Sequence, residues 1–359
     1  MRQIAAREGS VALFATLAAT CVAPALTAAL VCDPSLPLHS GTPSMFDPRS
    51  APAEMILDIT WLVIAICAVI FVVMEGLIIW AIIRYRAKHA RDTAGDTGEP
   101  PQVYGSNPIE LAWTVIPLLI VFVLFLISAR GIFEIDKQEP PPGALEVRVV
   151  GHRWWWEFDY GDLGFSTAAE LHIPLTKDGQ PQSVFLTLES ADVIHSFWVP
   201  QLGGKKDVVP GRTNYLWLQP RETGRFVGQC AEYCGAQHAG MLINVVVHEE
   251  DDFNAWVANQ QKPAHDDPAT ADGRDLFLST ACINCHTVRG TVANGTFAPD
   301  LTHLMSRSVL GSGVIANTPE QLRAWVWDPQ DAKPGCDMPA MKLTREDTDR
   351  ICAWLETLH

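Results

Sequence analysis

Gln229-Cys-Ala-Glu-Tyr-Cys-Gly-Ala-Gln-His-Ala-Gly-Met241 gathers two thiols, an imidazole and a thioether into one short segment: Cys230, Cys234, His238 and Met241. Soft and borderline ligands in this mixture select copper over magnesium, calcium or manganese. Two cysteines four apart on one loop can each bridge a pair of metals, and bridging thiolates hold two coppers close enough to share an electron. A second imidazole is needed, and His195 in Asp192-Val-Ile-His-Ser-Phe-Trp-Val-Pro200 is the candidate. The competing readings of such a cysteine pair in an exported domain are a disulfide and a zinc site. A structural zinc site has no use for Met241, and a disulfide has none for His195 and His238.

The segment resembles the binuclear CuA site of cytochrome c oxidase subunit II. The likeness covers the loop spacing, the upstream histidine, the position of Glu232 and the intervening run Lys205-Lys206-Asp-Val-Val-Pro-Gly-Arg212. It implies that Cys230 and Cys234 are bridging thiolates and that His195 and His238 are terminal imidazoles. Met241 would be a weak axial ligand on one copper and the Glu232 carbonyl an axial ligand on the other. The same resemblance implies a magnesium ion, shared with subunit I, at the Glu232 side chain. Gly151-His-Arg-Trp-Trp-Trp-Glu-Phe-Asp-Tyr160 matches a second family motif. Its first tryptophan lies on the family's surface near copper and receives the incoming electron, and Trp154 occupies that position. Arg153 and Trp155 stand where the family has Gln and Tyr. A cluster this aromatic is otherwise packing. His152, His172 and His248 fit no ligand spacing and read as satisfied surface or strand histidines.

Outward from the copper segment, the pattern from Leu145 is one of short β-rich runs. Leu145–Val150, Ser183–Glu189, Asn214–Leu218, Arg225–Gly228 and Leu242–His248 alternate or are continuously apolar. They predict an antiparallel Greek-key sandwich over 144–259, and the family's domain is an all-β cupredoxin. Upstream, Ile59–Ile83 and Leu111–Ala129 are each long enough to cross a membrane as a helix, which predicts a transmembrane hairpin over 55–130. Arg84, Arg86, Lys88 and Arg91 between them place that loop in the cytoplasm and everything after Arg130 outside. Arg2 and Arg7 before the apolar run Val11–Val31 predict a signal peptide or signal anchor over 1–31, and Cys32 leaves lipidation open. Glu75 lies within the first span and must face protein or water. Glu110 opens the second span. The resemblance puts it at the mouth of a proton channel into subunit I, whereas the dipole at a helix start favours an acid there for its own sake.

Polar, proline-bearing residues 260–271 read as a linker. After them comes Ala281-Cys-Ile-Asn-Cys-His286, the attachment motif of c-type haem, with thioethers at Cys282 and Cys285 and His286 as proximal ligand. Gly273 and Phe277 on a first helix, and Ile351, Trp354, Leu355 and Leu358 on a last helix capped by Thr344, suit an all-α domain over 272–359. This segment resembles a class I cytochrome c. The resemblance makes Pro299 the carbonyl that accepts the proximal imidazole's proton, and Met338 in Lys333-Pro-Gly-Cys-Asp-Met-Pro339 the distal ligand, with Met341 as runner-up. Cys336 and Cys352 are either disulfide-bonded or free.

The chain of 359 residues is 48% hydrophobic and 19% charged, which suits a part-membrane protein. A formal charge of −15 excludes a nucleic-acid partner and favours a basic redox partner. The whole is therefore expected to be a multi-domain membrane protein, a hairpin joined to a cupredoxin and a cytochrome c. Its expected role is subunit II of a caa-type oxidase in the bacterial inner membrane. Electrons would pass from haem c to CuA and on to subunit I, where oxygen is reduced and protons are pumped. Subunits I and III, membrane lipid and an upstream cytochrome c or bc complex are the expected partners. A CuA-bearing nitric oxide reductase is the alternative. A quinol oxidase subunit would lack the copper ligands, and a copper-delivery protein would have no haem.

Overall fold

The computed structural model describes residues 43–85 and 104–359. The expected signal segment, Cys32, Arg86, Lys88 and Arg91 lie outside the described residues.

Two helices, α1 (Ala51–Arg84) and α2 (Asn107–Ile135), are long and apolar enough to cross a membrane. Each begins with proline in its first turn, where the missing N–H costs nothing. At 34 residues α1 is about 50 Å long, well beyond a hydrocarbon core of about 30 Å. Both helices therefore run past the expected spans, because polar residues at their ends continue the helix outside the apolar layer. Glu75 is exposed on α1. The outer ends are tied to the next domain. Trp217 Nε1 donates to the Ile135 carbonyl (2.9 Å), Lys206 pairs with Asp136 (2.5 Å) and Arg221 with Glu54 (2.5 Å).

The second unit is a two-sheet sandwich. Its strands are β1 (Leu145–His152), β2 (Trp155–Tyr160), β3 (Phe165–Ala168), β4 (Glu170–Pro174), β5 (Thr176–Lys177), β6 (Gln180–Pro181), β7 (Val184–Ser190), β8 (His195–Trp198), β9 (Lys206–Val208), β10 (Asn214–Leu218), β11 (Gly224–Cys230) and β12 (Leu242–His248). One sheet has the order β10-β7-β1-β2-β3 and the other β4-β12-β11-β8-β9. Trp156, Phe158, Tyr160, Phe197 and Phe226 fill the space between them with no exposed surface. Two pairs depart from the antiparallel expectation: β1–β7 and β4–β12 are parallel. In each case the chain crosses to the opposite sheet before returning beside its earlier strand, and a crossover of that kind sets two strands running the same way.

Helix α3 (Glu250–Gln260) leads out of the sandwich. The third unit contains α4 (Ala271–Ser279), α5 (Cys282–Cys285), β13 (Val309–Leu310), β14 (Ile315–Ala316), α6 (Pro319–Trp327), α7 (Pro329–Ala332) and α8 (Arg345–Leu355). It is helical apart from the two-residue hairpin β13–β14. Thr344 caps α8 by accepting the Asp347 N–H (3.0 Å). Helices α4 and α8 cross at Gly273, where an added Cβ would stand 2.0 Å from the Arg350 carbonyl oxygen. Phe277 packs on Trp354 beside this crossing, ring centroids 5.0 Å apart. Ile351, Trp354, Leu355 and Leu358 are all buried, as their helical spacing predicts.

Candidate copper and haem sites

The end of β11, the start of β8 and the β11–β12 loop meet at one pole of the sandwich. There His195, Cys230 and Cys234 bring their ligand atoms within 4.8 Å of one another, all three residues buried. Cys230 Sγ and Cys234 Sγ are 3.8 Å apart, far beyond a disulfide bond of about 2 Å, and both cysteines are free. Cys234 Sγ also lies 3.6 Å from His238 Nδ1 and 3.8 Å from Met241 Sδ. Cys230 Sγ is 3.2 Å from the Glu232 carbonyl oxygen. The six groups read from the sequence thus converge.

The donor set fits a pair of soft metals on an observation of the imidazole. His195 is fully buried, and its Nδ1 has no hydrogen-bond partner. Its Nε2 donates to Asp192 Oδ1 (2.8 Å), so the ring presents Nδ1 as a lone pair toward the thiols. Burial alone would raise the Asp192 pKa. The hydrogen bond from His195 and the N–H groups of Val193 and Arg153 outweigh it and hold the carboxyl below its ordinary value. The hydrogen bond from Cys234, stronger than the opposing effect of burial, lowers the Cys230 pKa. One of the two thiols therefore ionises readily, as a metal ligand must. Gly235 (φ +120°) turns the loop, and a Cβ there would stand 2.9 Å from the Trp154 ring.

Trp154 is not on the surface. It is only 9% exposed and belongs to the sandwich core. Its Nε1 donates to the Cys234 carbonyl (3.0 Å), and the residue also lines a cavity of about 680 Å³ between the two units.

That cavity holds the haem-motif residues. Cys282, Cys285, His286 and Met338 line it, and its opposite wall is His152, Arg153, Trp154 and Trp155 of the sandwich. His286 Nδ1 donates to the Pro299 carbonyl (2.8 Å), which turns Nε2 into the free ligand atom. Burial lowers the His286 pKa and keeps the ring neutral for ligation. Met341 reaches the same cavity. The Met338 loop is braced by Gln330, whose Nε2 donates to the carbonyls of Cys336 and Met338 (2.8 Å each). Arg307 lines the cavity with a buried Nε that has no partner, which suits a cofactor carrying carboxylates. An apolar cavity with two thiols, an imidazole, a thioether and a spare guanidinium donor fits a haem. Cys336 and Cys352 are unpaired.

Glu110 lies in the first turn of α2, its Oε1 accepting the Ser106 N–H (3.2 Å). His172 on β4 and His248 at the end of β12 are strand histidines, as one of the two sequence readings has it, His172 buried and His248 half-buried. Their rings stack on each other (5.0 Å), His172 stacks on Trp256 (4.3 Å), and His172 reaches the buried carboxylate of Glu170 (3.4 Å). His152 stacks on Trp155 (4.2 Å) at the cavity wall. Sequence reading did not single out Glu170, Gln330, Arg307 or Lys333. Only Lys333 carried a signal, as a lysine opening the methionine loop.

Three family models match the chain. The transmembrane domain of cytochrome C oxidase subunit II matches residues 39–130, its periplasmic domain 170–248 and cytochrome c 270–359. Cytochrome c oxidase subunit 2 of Alkalihalophilus pseudofirmus is 37% identical over 320 residues, covering 87% of this chain and 90% of its own. The Bacillus subtilis protein of the same name is 32% identical, over 88% of this chain and 91% of its own. That of Bacillus sp. strain PS3 is 33% identical over 72% and 76%. Likeness along nearly the full length, over the membrane hairpin, the sandwich and the haem unit alike, means that the chain belongs to the cytochrome c oxidase subunit II family, as an electron-transfer subunit that associates with subunit I and ends in a cytochrome c domain.

Proposed function

We propose that this chain is subunit II of a caa-type cytochrome c oxidase, carrying a binuclear CuA centre and one covalently attached haem c. The observation that carries this reading is Trp154, a single residue that touches both sites. It lines the haem cavity and hydrogen-bonds the carbonyl of Cys234. When bound, the haem and the copper pair would each accept and release one electron.

The chain's own residues do the rest. Cys282 and Cys285 would hold the haem by thioethers, and His286 and Met338 would ligate its iron, with Pro299 fixing the imidazole. Cys230, Cys234, His195, His238, Met241 and the Glu232 carbonyl would hold the coppers, with Asp192 fixing His195. Buried apolar walls exclude water from both sites and limit the reorganisation that slows electron transfer. Trp154 lies beneath the haem unit, so its partner is the tethered haem, and an upstream cytochrome c or bc complex would deliver electrons to that haem. The Glu232 side chain is exposed and free to reach a magnesium ion shared with subunit I. The units are hairpin 55–130, copper domain 144–259, linker 260–271 and cytochrome c domain 272–359. The hairpin would sit in the bacterial inner membrane beside subunits I and III, with both redox domains on its outer face.

The purified chain should contain two coppers and one haem that survives denaturation on a gel, and it should show near-infrared absorption when oxidised. A single labile copper would instead indicate copper delivery. Oxygen consumption by the purified complex, rather than nitric oxide consumption, separates this reading from the reductase alternative.

A further inference from the structure

The two redox domains are stitched together at the copper loop, and the centre of the seam is a lysine. Lys333 is 2% exposed and has no carboxylate partner among its hydrogen bonds. Its Nζ donates to the carbonyl oxygens of Trp154 (2.7 Å), Gly240 (2.8 Å) and Gly311 (2.7 Å). An ammonium has three N–H donors, and here each has one acceptor. Trp154 and Gly240 belong to the copper domain, and Gly240 directly precedes the ligand Met241. Gly311 and Lys333 belong to the haem domain, and Lys333 opens the loop that carries Met338.

A buried cation is costly where packing alone is needed, since an apolar side chain of similar length fills the same space without desolvation. What a lysine adds is a three-way junction between segments that an apolar residue could not join. Lesser contacts run alongside it. Gln237 Nε2 donates to the Pro334 carbonyl (2.7 Å), and Leu242 and Ser312 exchange backbone and hydroxyl hydrogen bonds (3.1 and 3.0 Å). The Gln237 contact is exposed, and the buried Leu242–Ser312 pair joins only two segments, whereas Lys333 joins three.

We propose that Lys333 is a positioning residue that locks the haem domain onto the copper loop in one docked arrangement. Electron transfer between the domains then does not wait for a search by a tethered module. This rests on the two-centre reading, so both centres are first verified by their absorption spectra in the purified oxidase.

In that oxidase, brief acetylation with acetic anhydride followed by peptide mass spectrometry should modify Lys333 at least about tenfold more slowly than the exposed Lys262 and Lys342. Equal rates would mean that the domains part freely, and would overturn the proposal while leaving the two centres intact. In Lys333→Met, electron transfer from haem to copper after flash reduction should slow by about tenfold or more and become viscosity-dependent. The near-infrared band and both midpoint potentials should be unchanged. Lys333→Gln, which keeps two donors, should fall between. An unchanged rate in Lys333→Met refutes the positioning role. Loss of either centre in both variants would assign Lys333 to folding instead, and refutes it equally.

Discussion

The ligation proposed for His195 depends on the residue three positions before it. With Asp192 Oδ1 accepting from Nε2, the buried Nδ1 is left as the lone pair, and the ring cannot rotate away. Asp192→Ala should therefore weaken copper retention by about 10–100-fold while the sandwich still folds. Copper content after dialysis against a graded chelator checks this, with circular dichroism as the folding control, and wild-type retention would show that the carboxylate is idle. The convergence of the proposed ligands was legible because most of these soft donors sit at fixed spacing in a single segment. The same holds for His286, whose Pro299 acceptor is thirteen residues on. Glu170 was not legible, and Lys333 only as the lysine that opens the methionine loop, since their partners lie up to 138 and 179 residues away and no local pattern marks those contacts. Trp154 was legible by position but not by environment, because it packs in the sandwich core against the Cys234–Gly235 turn 80 residues on and also lines the cavity of a domain that follows it in the chain.

The α4–α8 crossing is the element on which the haem cavity depends, since Phe277, Ile351 and Leu355 on these helices line it. At Gly273 the obstacle to any side chain is the backbone of α8, with the Arg350 carbonyl oxygen 2.0 Å and its carbon 2.7 Å from where a methyl group would sit. Backbone cannot swing aside as a flexible side chain can, so the helices must separate. Gly273→Ala should cost about 3 kcal/mol or more, the upper range of overpacking. Thermal unfolding followed at the haem absorption band, together with the yield of attached haem, measures it. Gly161→Ala, where nothing lies within 4 Å, should stay within about 0.5 kcal/mol of wild type. Helix signals here were strong in the sequence because capping and spacing are local. Strands were half legible: β10 and β12 fall where their apolar runs predict, whereas β2, β8 and β9 sit in motifs that read first as aromatic or polar. The parallel pairs β1–β7 and β4–β12 could not be read at all, because pairing across a sandwich leaves no trace in one strand's own residues.

Across the whole molecule, the interface between copper and haem domains has a second pin besides Lys333. Glu170 on β4 is 1% exposed, pairs with Arg225 (2.7 Å), and accepts the backbone N–H of Ser308 from the haem domain (3.1 Å) as well as its hydroxyl. Burial by itself would raise its pKa. The hydrogen bond and charge of His172, then those of Arg225, prevail and hold it at about 2 against an ordinary 4.5. Behind it, burial and the neighbouring His172 push His248 down to about 4 from 6.5. Both groups have folded pKa values below their unfolded ones. The unfolded chain therefore binds more protons in acid, and each group's contribution is complete above its unfolded value and is lost as pH falls. His248 should begin to cost stability below about pH 6.5 and finish near 4, and Glu170 should follow from about 4.5 to 2. The two windows place the weakening first at the His172–His248–Trp256 stack and then at the seam itself. Glu170→Gln removes the second window and leaves the first, at the expense of an unpaired Arg225 at neutral pH. Thermal stability of wild type and Glu170→Gln, compared between pH 7 and pH 2, should thus differ by a few kcal/mol at pH 7, draw together below about pH 4.5 and converge only near pH 2. Parallel curves across that range would show that the carboxylate is not the group whose protonation loosens the haem domain.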